Sequence, residues 1–449
     1  MNAHDIRIVE VQTSYEHYRY RFPLKFGGRV VNSATMLNVH VHVQSRTGRC
    51  ATGLGSMPLG NIWSFPSNLV SNEETLNAMK RLAERIRAII ARSGAFAHPV
   101  ELMCDLEESF LNAADEVTRE MELEEPIPKL CTLVTASPFY AAVHDAYGKV
   151  HKRNVYDLYG SEYMNRDLSA YLTEEFKGEH LDKYTLRVPQ SRMPLYHVVG
   201  ELDPLSRADV EQIVGDGLPE CLVEWIERDG ITHFKVKLAG ADIREDLARM
   251  LAIDRVCTEV QARRGVHEWF YSLDFNERCE SAAYLVELLN RVREAGANCY
   301  ERIQYIEQPT SRHLKKNSQN RMQEAARLKP IVIDEALVDF EHLVLSMEQG
   351  YSGVALKTCK GHTHALLMAA AALKWHLFLC VQDLTLVGAS FLHSAGLCAR
   401  VPRVAAVEGN GRQYCPAGNH GWVERWPGVF CPRDGTIETG CLTGVGLGF

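Results

Sequence analysis

From about residue 135 onward, short apolar runs alternate with longer helical patterns, and this alternation constrains the fold more than any other feature of the chain. Strands are expected over 194–199, 232–238, 269–275, 303–306, 330–333, 353–356, 377–381 and 404–407, with helices between them, for example over 242–263 and 282–295. Eight strands with intervening helices favour a closed barrel. The competing open sheet usually declares itself by a glycine-rich phosphate turn after its first strand, and no G-x-G-x-x-G follows a strand here. The first 135 or so residues read differently. Residues 36–43 alternate apolar and polar as a half-buried strand does, and 73–92 carry an apolar face at helical spacing. Gly27-Gly28 and the stretch 53–58 are glycine and proline punctuation, so they are expected to be loops of a small α+β domain.

Composition excludes several functions. Lys and Arg number 49 against 57 Asp and Glu, a net charge of −8, and no basic stripe offers itself to nucleic acid. The 13 cysteines form no C-x-x-C pair, which speaks against a zinc ribbon or redox motif and for reduced thiols in a cytosol. Charges near the N-terminus interrupt any signal-peptide core, and the apolar stretch 366–381 is broken by Lys374, Trp375 and His376. A cytoplasmic protein without a membrane partner is expected, with 366–381 read as a helix running into a buried strand.

A barrel makes a sharp demand: catalytic side chains should stand at the C-terminal ends of successive strands. The second strand ends in Lys235-Val236-Lys237, the third in Asp274-Phe275-Asn276, the fourth in Glu307-Gln308-Pro309, the fifth in Asp334-Glu335, the sixth in Lys357, the seventh in Gln382-Asp383 and the eighth in Glu408. Lys237, Asp274, Glu307, Asp334 and Lys357 follow at intervals of 37, 33, 27 and 23 residues, each about one βα unit.

Three carboxylates in one low-dielectric mouth repel one another unless a cation sits among them. All-oxygen ligands select a hard ion, which makes one Mg²⁺ per subunit, held by Asp274, Glu307 and Asp334, the expected cofactor. Such an ion can hold a substrate carboxylate and offset the charge that develops when the adjacent carbon loses its proton. The flanking lysines become candidate bases. Lys235 and Lys237 lie two apart on one strand, so both face the interior, where Lys235 is expected to depress Lys237.

This ordered set resembles the enolase superfamily, in particular its muconate-lactonizing and dipeptide-epimerase branch. The resemblance rests on the Lys-x-Lys of Lys235 and Lys237, the triad Asp274, Glu307 within Glu-Gln-Pro and Asp334 within Asp-Glu, and the strand-six Lys357. It covers most of the chain. It implies an α/β fold, a modified TIM barrel, (β/α)7β, with an N-terminal α+β capping domain. The division is 1–135 for the cap, 136–410 for the barrel and 411–449 for a tail that returns to the cap. The helix 137–149 is similar to the one leading into the barrel, and 22–28 and 53–59 resemble the two capping loops that close over the substrate.

The implied activity is Mg²⁺-dependent abstraction of the proton α to a carboxylate, most simply racemisation or epimerisation of an amino-acid derivative or dipeptide-like acid by Lys237 and Lys357. A lyase such as an acid-sugar dehydratase, a cycloisomerase and a catalytically silent binding barrel are the alternatives. Candidate substrate contacts are Asn276, Asp383, Glu408, Phe22 and Met57, and the expected partners are a small carboxylate and further copies of the chain in a homo-oligomer. Two departures bear on substrate. Dipeptide epimerases of the family carry two acids after strand eight to hold an ammonium group, where this chain reads Glu408-Gly409-Asn410. The His–Asp dyad of the mandelate-racemase branch is also missing.

Other residues have plainer readings. Asp383 fits a pocket or a helix N-cap equally well. Glu335 alternates away from its neighbouring ligand, which favours a supporting role. Lys360 suits a solvated loop or the pocket, His362 and His364 are expected at the surface, and Glu277 and Arg412 could touch substrate. The insertion 158–191 is either a lid or a surface excursion.

Overall fold

The computed structural model describes residues 2–449. Three antiparallel strands form the N-terminal sheet: β1 (Ile6–Phe26), β2 (Arg29–Ser45) and β3 (Cys50–Pro58), in that order. The turn between β1 and β2 consists of Gly27 (φ 54°) and Gly28 (φ 75°), left-handed at both positions, which is why two glycines stand there. Helices Asn72–Arg92, Pro99–Glu120 and Lys129–His151 complete this unit. The first is started by Ser71, whose side chain accepts the Glu74 N–H while Glu74 binds back to Ser71. Its apolar face, Met79, Leu82, Ile86 and Ile90, is buried.

Neither capping segment is a loop. Residues 22–26 continue β1, so only the Gly-Gly tip turns, and 53–58 are strand β3. The glycines of β3 serve close packing instead of chain reversal. A Cβ on Gly53 would lie 2.0 Å from the Ala142 carbonyl oxygen, and one on Gly55 would lie 1.8 Å from that of Pro138. Helix Lys129–His151 therefore lies directly on the strand backbone. It also runs across residue 135, the expected domain boundary. Gly55→Ala must push this helix off the sheet and should cost about 3 kcal/mol. Urea denaturation would measure the loss, and an unchanged midpoint would contradict the packing account.

The barrel consists of β4 (Arg192–Val199), β5 (His233–Lys237), β6 (Phe270–Asp274), β7 (Ile303–Glu307), β8 (Ile331–Ile333), β9 (Gly353–Leu356), β10 (Phe378–Val381) and β11 (Val404–Glu408). Each pairs in parallel with the next, and β11 closes on β4. Helices fill the seven crossovers, giving (β/α)7β. Inside the ring Tyr196, Tyr305, Val332, Ala355, Cys380 and Ala406 pack as an apolar layer beneath the mouth.

The C-terminal tail first adds β12 (Thr436–Glu438) antiparallel to the start of β4. Its end then reaches the helix Lys129–His151, where the Leu447 N–H donates to Asp145 at 3.0 Å. The insertion 158–191 covers the outer helices and stays away from the mouth. Phe176 packs on Trp375, and the N–H groups of Leu186 and Gln190 bond the carbonyls of Arg400 and Ala399. All 13 cysteines are free thiols. No described helix is long and apolar enough to cross a membrane.

Candidate active site

Strand register brings the predicted residues to one level. Lys237 pairs with Asp274 across β5 and β6, and Asp274 pairs with Glu307 across β6 and β7. Glu307 lies opposite Val332, which places Asp334 two residues on, just past the end of β8. Lys357 directly follows β9. In a ring of eight, β5 and β9 are four strands apart, so Lys237 and Lys357 face each other across the mouth with the three carboxylates along the arc between them.

The lysines are tightly held. Lys235 donates to Glu307 at 2.8 Å, to the Gln382 side-chain oxygen at 2.7 Å and to Glu408 at 3.0 Å, and lies 3.2 Å from Asp274. Lys237 binds Asp274 and donates to Asn276 Oδ1 at 3.0 Å. Lys357 lies 2.9 Å from Asp334 Oδ2 and donates to the Asp383 carbonyl at 3.1 Å.

Burial alone would depress Lys235, but Glu307, Glu408 and Asp274 outweigh it and hold its pKa well above the usual lysine value. Lys357 is likewise held up against burial, chiefly by Asp334. The neighbouring carboxylates thus favour the ammonium form of both. Burial raises Glu307 well above the carboxylate range, whereas Asp334 is kept low against burial by Lys357 and Lys360.

The supporting residues also have definite places. Glu335 accepts the Trp63 indole N–H at 3.0 Å and the Asn276 amide at 3.1 Å; burial, then Asp334, push it up to about 7. Asp383 faces the pocket, accepting the N–H groups of Thr385 and Asn410, and burial followed by Glu408 raises it to about 8. Glu408 is fully engaged: Oε2 takes Lys235 and the Asp383 N–H, and Oε1 takes the Asn410 amide.

Several readings change. Met57 is fully buried in the cap core and lines no part of the mouth, because β3 turns that face toward the helices. Phe22 stands on the hairpin against Tyr414, with ring centroids 5.1 Å apart. Glu277 grips Arg312, and Arg412 pairs with Asp229 and His197, so neither is free for substrate. His362 is a core residue and His364 only partly exposed, since helix His362–Lys374 is covered on nearly every side.

The cap supplies residues that no local pattern announces. Trp63 lays its ring 4.2 Å from the Lys357 ammonium, and its carbonyl accepts Arg312 at 3.1 Å. Phe26, at the hairpin tip, stands over Lys237 at 5.6 Å. The hairpin is tied down by Arg21 on Asp216 at 2.7 Å and Lys25 on Glu201 at 2.9 Å. Asn276, Glu277, Gln308 and Thr385, all just past strand ends, have left-handed backbone, a strain typical of functional rims.

The donor set suits a hard divalent ion. Asp274, Glu307 and Asp334 offer only oxygen, and Glu307 Oε2 is buried without a hydrogen-bond partner. Among the described residues, no three His, Cys, Asp or Glu side chains are gathered into a closed metal cage. The ammonium groups of Lys235 and Lys237 stand between the carboxylates instead.

Residues 218–449 match the family model described as enolase C-terminal domain-like, over half of the chain. The chain belongs to the enolase superfamily, in its mandelate racemase/muconate lactonizing group. No curated protein matches by sequence. The superfamily fold extends over the whole molecule. A dipeptide epimerase from Enterococcus faecalis, complexed with Mg and L-Leu-L-Tyr, aligns with a TM-score of 0.64 at 15% identity, covering 98% of this chain and 99% of its own. The L-Ala-D/L-Glu epimerase from Bacillus subtilis gives 0.65 at 15%, with 98% of both chains covered. A muconate lactonizing enzyme from Pseudomonas fluorescens gives 0.61 at 17%, covering 98% and 96%. At these identities the likeness shows the fold alone.

Proposed function

We propose that this protein removes and returns the proton α to the carboxylate of a small organic acid, racemising or epimerising it. The observation that carries the reading is the placement of Lys237 and Lys357 on strands four apart in the ring. A planar carbon held between them is open to one ammonium or amine on each face. The lysine that has lost its proton takes one from the substrate, and the opposite lysine delivers one. Lys235 anchors the carboxylates and stays charged. Phe26 and Trp63 exclude water from above. Mg²⁺, held by Asp274, Glu307 and Asp334, would supply Lewis-acid stabilisation of the negative charge on the substrate carboxylate.

The room available describes the substrate. The mouth cavity, lined by Lys235, Lys237, Asp274, Lys357 and Asp383, holds only about 40 Å³. Phe26, Trp63, Leu384 and Thr385 separate it from, and also line, a cavity of about 770 Å³ beneath the hairpin. The reacting carbon and carboxylate fit the first, so a bulky remainder belongs in the second, among Tyr20, Phe22 and Leu76. Two relatives are named as dipeptide epimerases. Here Glu408, at the end of the last strand, and Asp383, past the seventh, are both occupied, so neither is free for an ammonium group. An amino acid acylated on nitrogen fits this mouth better than a dipeptide with a free amine.

Glu307→Gln keeps side-chain volume and removes one ligand charge. Calorimetry should show Mg²⁺ binding abolished with the circular dichroism spectrum unchanged. Undiminished Mg²⁺ affinity would remove Glu307 from the ligand set.

A further inference from the structure

We propose that Lys360 is a built-in cation that lowers the divalent-ion affinity of this mouth by sharing Asp334 with the ion. The inference rests on the reading that Asp274, Glu307 and Asp334 bind Mg²⁺. Lys360 lies one turn beyond Lys357 and is 0% exposed. Its ammonium donates to the Asp334 main-chain carbonyl at 2.5 Å and lies 3.2 Å from Asp334 Oδ1. Lys357 stands 2.9 Å from Oδ2, so each oxygen of this one carboxylate already faces an ammonium.

Lys360 has little freedom to withdraw. The Trp63 ring roofs it at 5.7 Å. Its turn ends at Gly361, whose φ of 106° lets the backbone pass over the Tyr140 ring; a Cβ there would sit 3.4 Å from that ring. The carbonyl bond to Asp334 further anchors the ammonium beside the carboxylate whatever else that carboxylate binds. A fixed positive charge next to a ligand oxygen repels an incoming cation, and a buried pair is weakly screened by water or salt. The second lysine serves no proton transfer in the proposed reaction, which Lys237 and Lys357 complete between them. Its effect falls on the ion.

The test is a calorimetric titration of the full-length protein with Mg²⁺ alone, for wild type, Lys360→Met, Lys360→Gln and Lys315→Met. The last removes an exposed lysine that pairs with Glu341 and does not touch Asp334, and controls for net charge. Both Lys360 variants should bind Mg²⁺ at least tenfold more tightly than wild type, and Mg²⁺ should raise their melting temperatures more than it raises that of wild type. Lys315→Met should match wild type. Lys360→Gln retains a donor for the Asp334 carbonyl and so serves if Lys360→Met does not fold. Equal or weaker affinity in a folded Lys360 variant would overturn the proposal while leaving the metal site standing. If neither wild type nor the variants bind Mg²⁺ better than Glu307→Gln, the metal reading falls and this inference with it.

Discussion

Lys237→Ala should abolish proton exchange from one stereoisomer of the substrate while sparing some exchange from the other, and Lys357→Ala should show the reverse preference. The two residues stand on opposite sides of the barrel mouth, so in the proposed reaction each would reach one face of a carbon held between them. Loss of a positioned proton-transfer group typically costs about 10²- to 10⁴-fold, and that range is expected in the affected direction. Lys235→Ala should impair both directions. Its ammonium simultaneously binds Glu307, Glu408 and the Gln382 side chain, and removing it leaves buried carboxylates without their counter-charge. Exchange followed by NMR in deuterated buffer, started separately from each isomer, distinguishes these outcomes. Wild-type exchange confined to one isomer, with release of a dehydrated or cyclised product, would replace the racemase reading by a lyase or cycloisomerase.

His362→Leu should make the protein markedly more tolerant of acid. Burial depresses His362 to about 3, and neither ring nitrogen has a hydrogen-bond partner. It packs against His144 and Tyr156, where the helices Lys129–His151 and His362–Lys374 meet. A histidine whose folded pKa lies below its unfolded value of about 6.5 contributes stability that is fully present above that pH. The contribution is lost as pH falls, because the unfolded chain takes up the proton first. Each such histidine costs about 1.4 kcal/mol per pH unit below 6.5, or about 3 kcal/mol between pH 6.5 and 4.5. His98 and His393 are also held at about 3 by burial and act in the same direction. Asp383 and Glu335, held up by burial, take up protons on folding and oppose them across the same interval. The single substitution isolates one term from this balance. Urea melts at several pH values should show the stability slope of His362→Leu flattened by about 1.4 kcal/mol per pH unit relative to wild type. Parallel slopes would show that His362 already shares its proton equilibrium with the unfolded chain.

The barrel was legible in the sequence because a parallel strand buried on both faces must be a short apolar run, and its chemistry must lie where that run ends. Asp274, Glu307 and Lys357 are therefore found at their strand ends. The cap was less legible. Glycine marks a chain reversal at Gly27-Gly28 but a helix pressed onto a strand at Gly53 and Gly55, and local sequence cannot separate the two. His362 looked superficial because two polar rings near a helix start usually face water; here the cap helix covers them. Trp63 left no signal, since its role depends on Lys357, Glu335 and Arg312, all supplied by the barrel more than 200 residues away. Lys360 could be weighed only as a nearby cation, because its place beside Asp334 follows from the turn after β9.

The central claim is that two opposed lysines move one α-proton in a mouth that requires a divalent ion. Deuterium incorporation from heavy water tests it most directly, using N-acylated amino acids, dipeptides and sugar acids with Mg²⁺ or with excess chelator. The account predicts α-deuteration of at least one bulky acid from both stereoisomers, dependent on Mg²⁺ and absent from the Lys237→Ala/Lys357→Ala double variant. Exchange that persists in that double variant would contradict it.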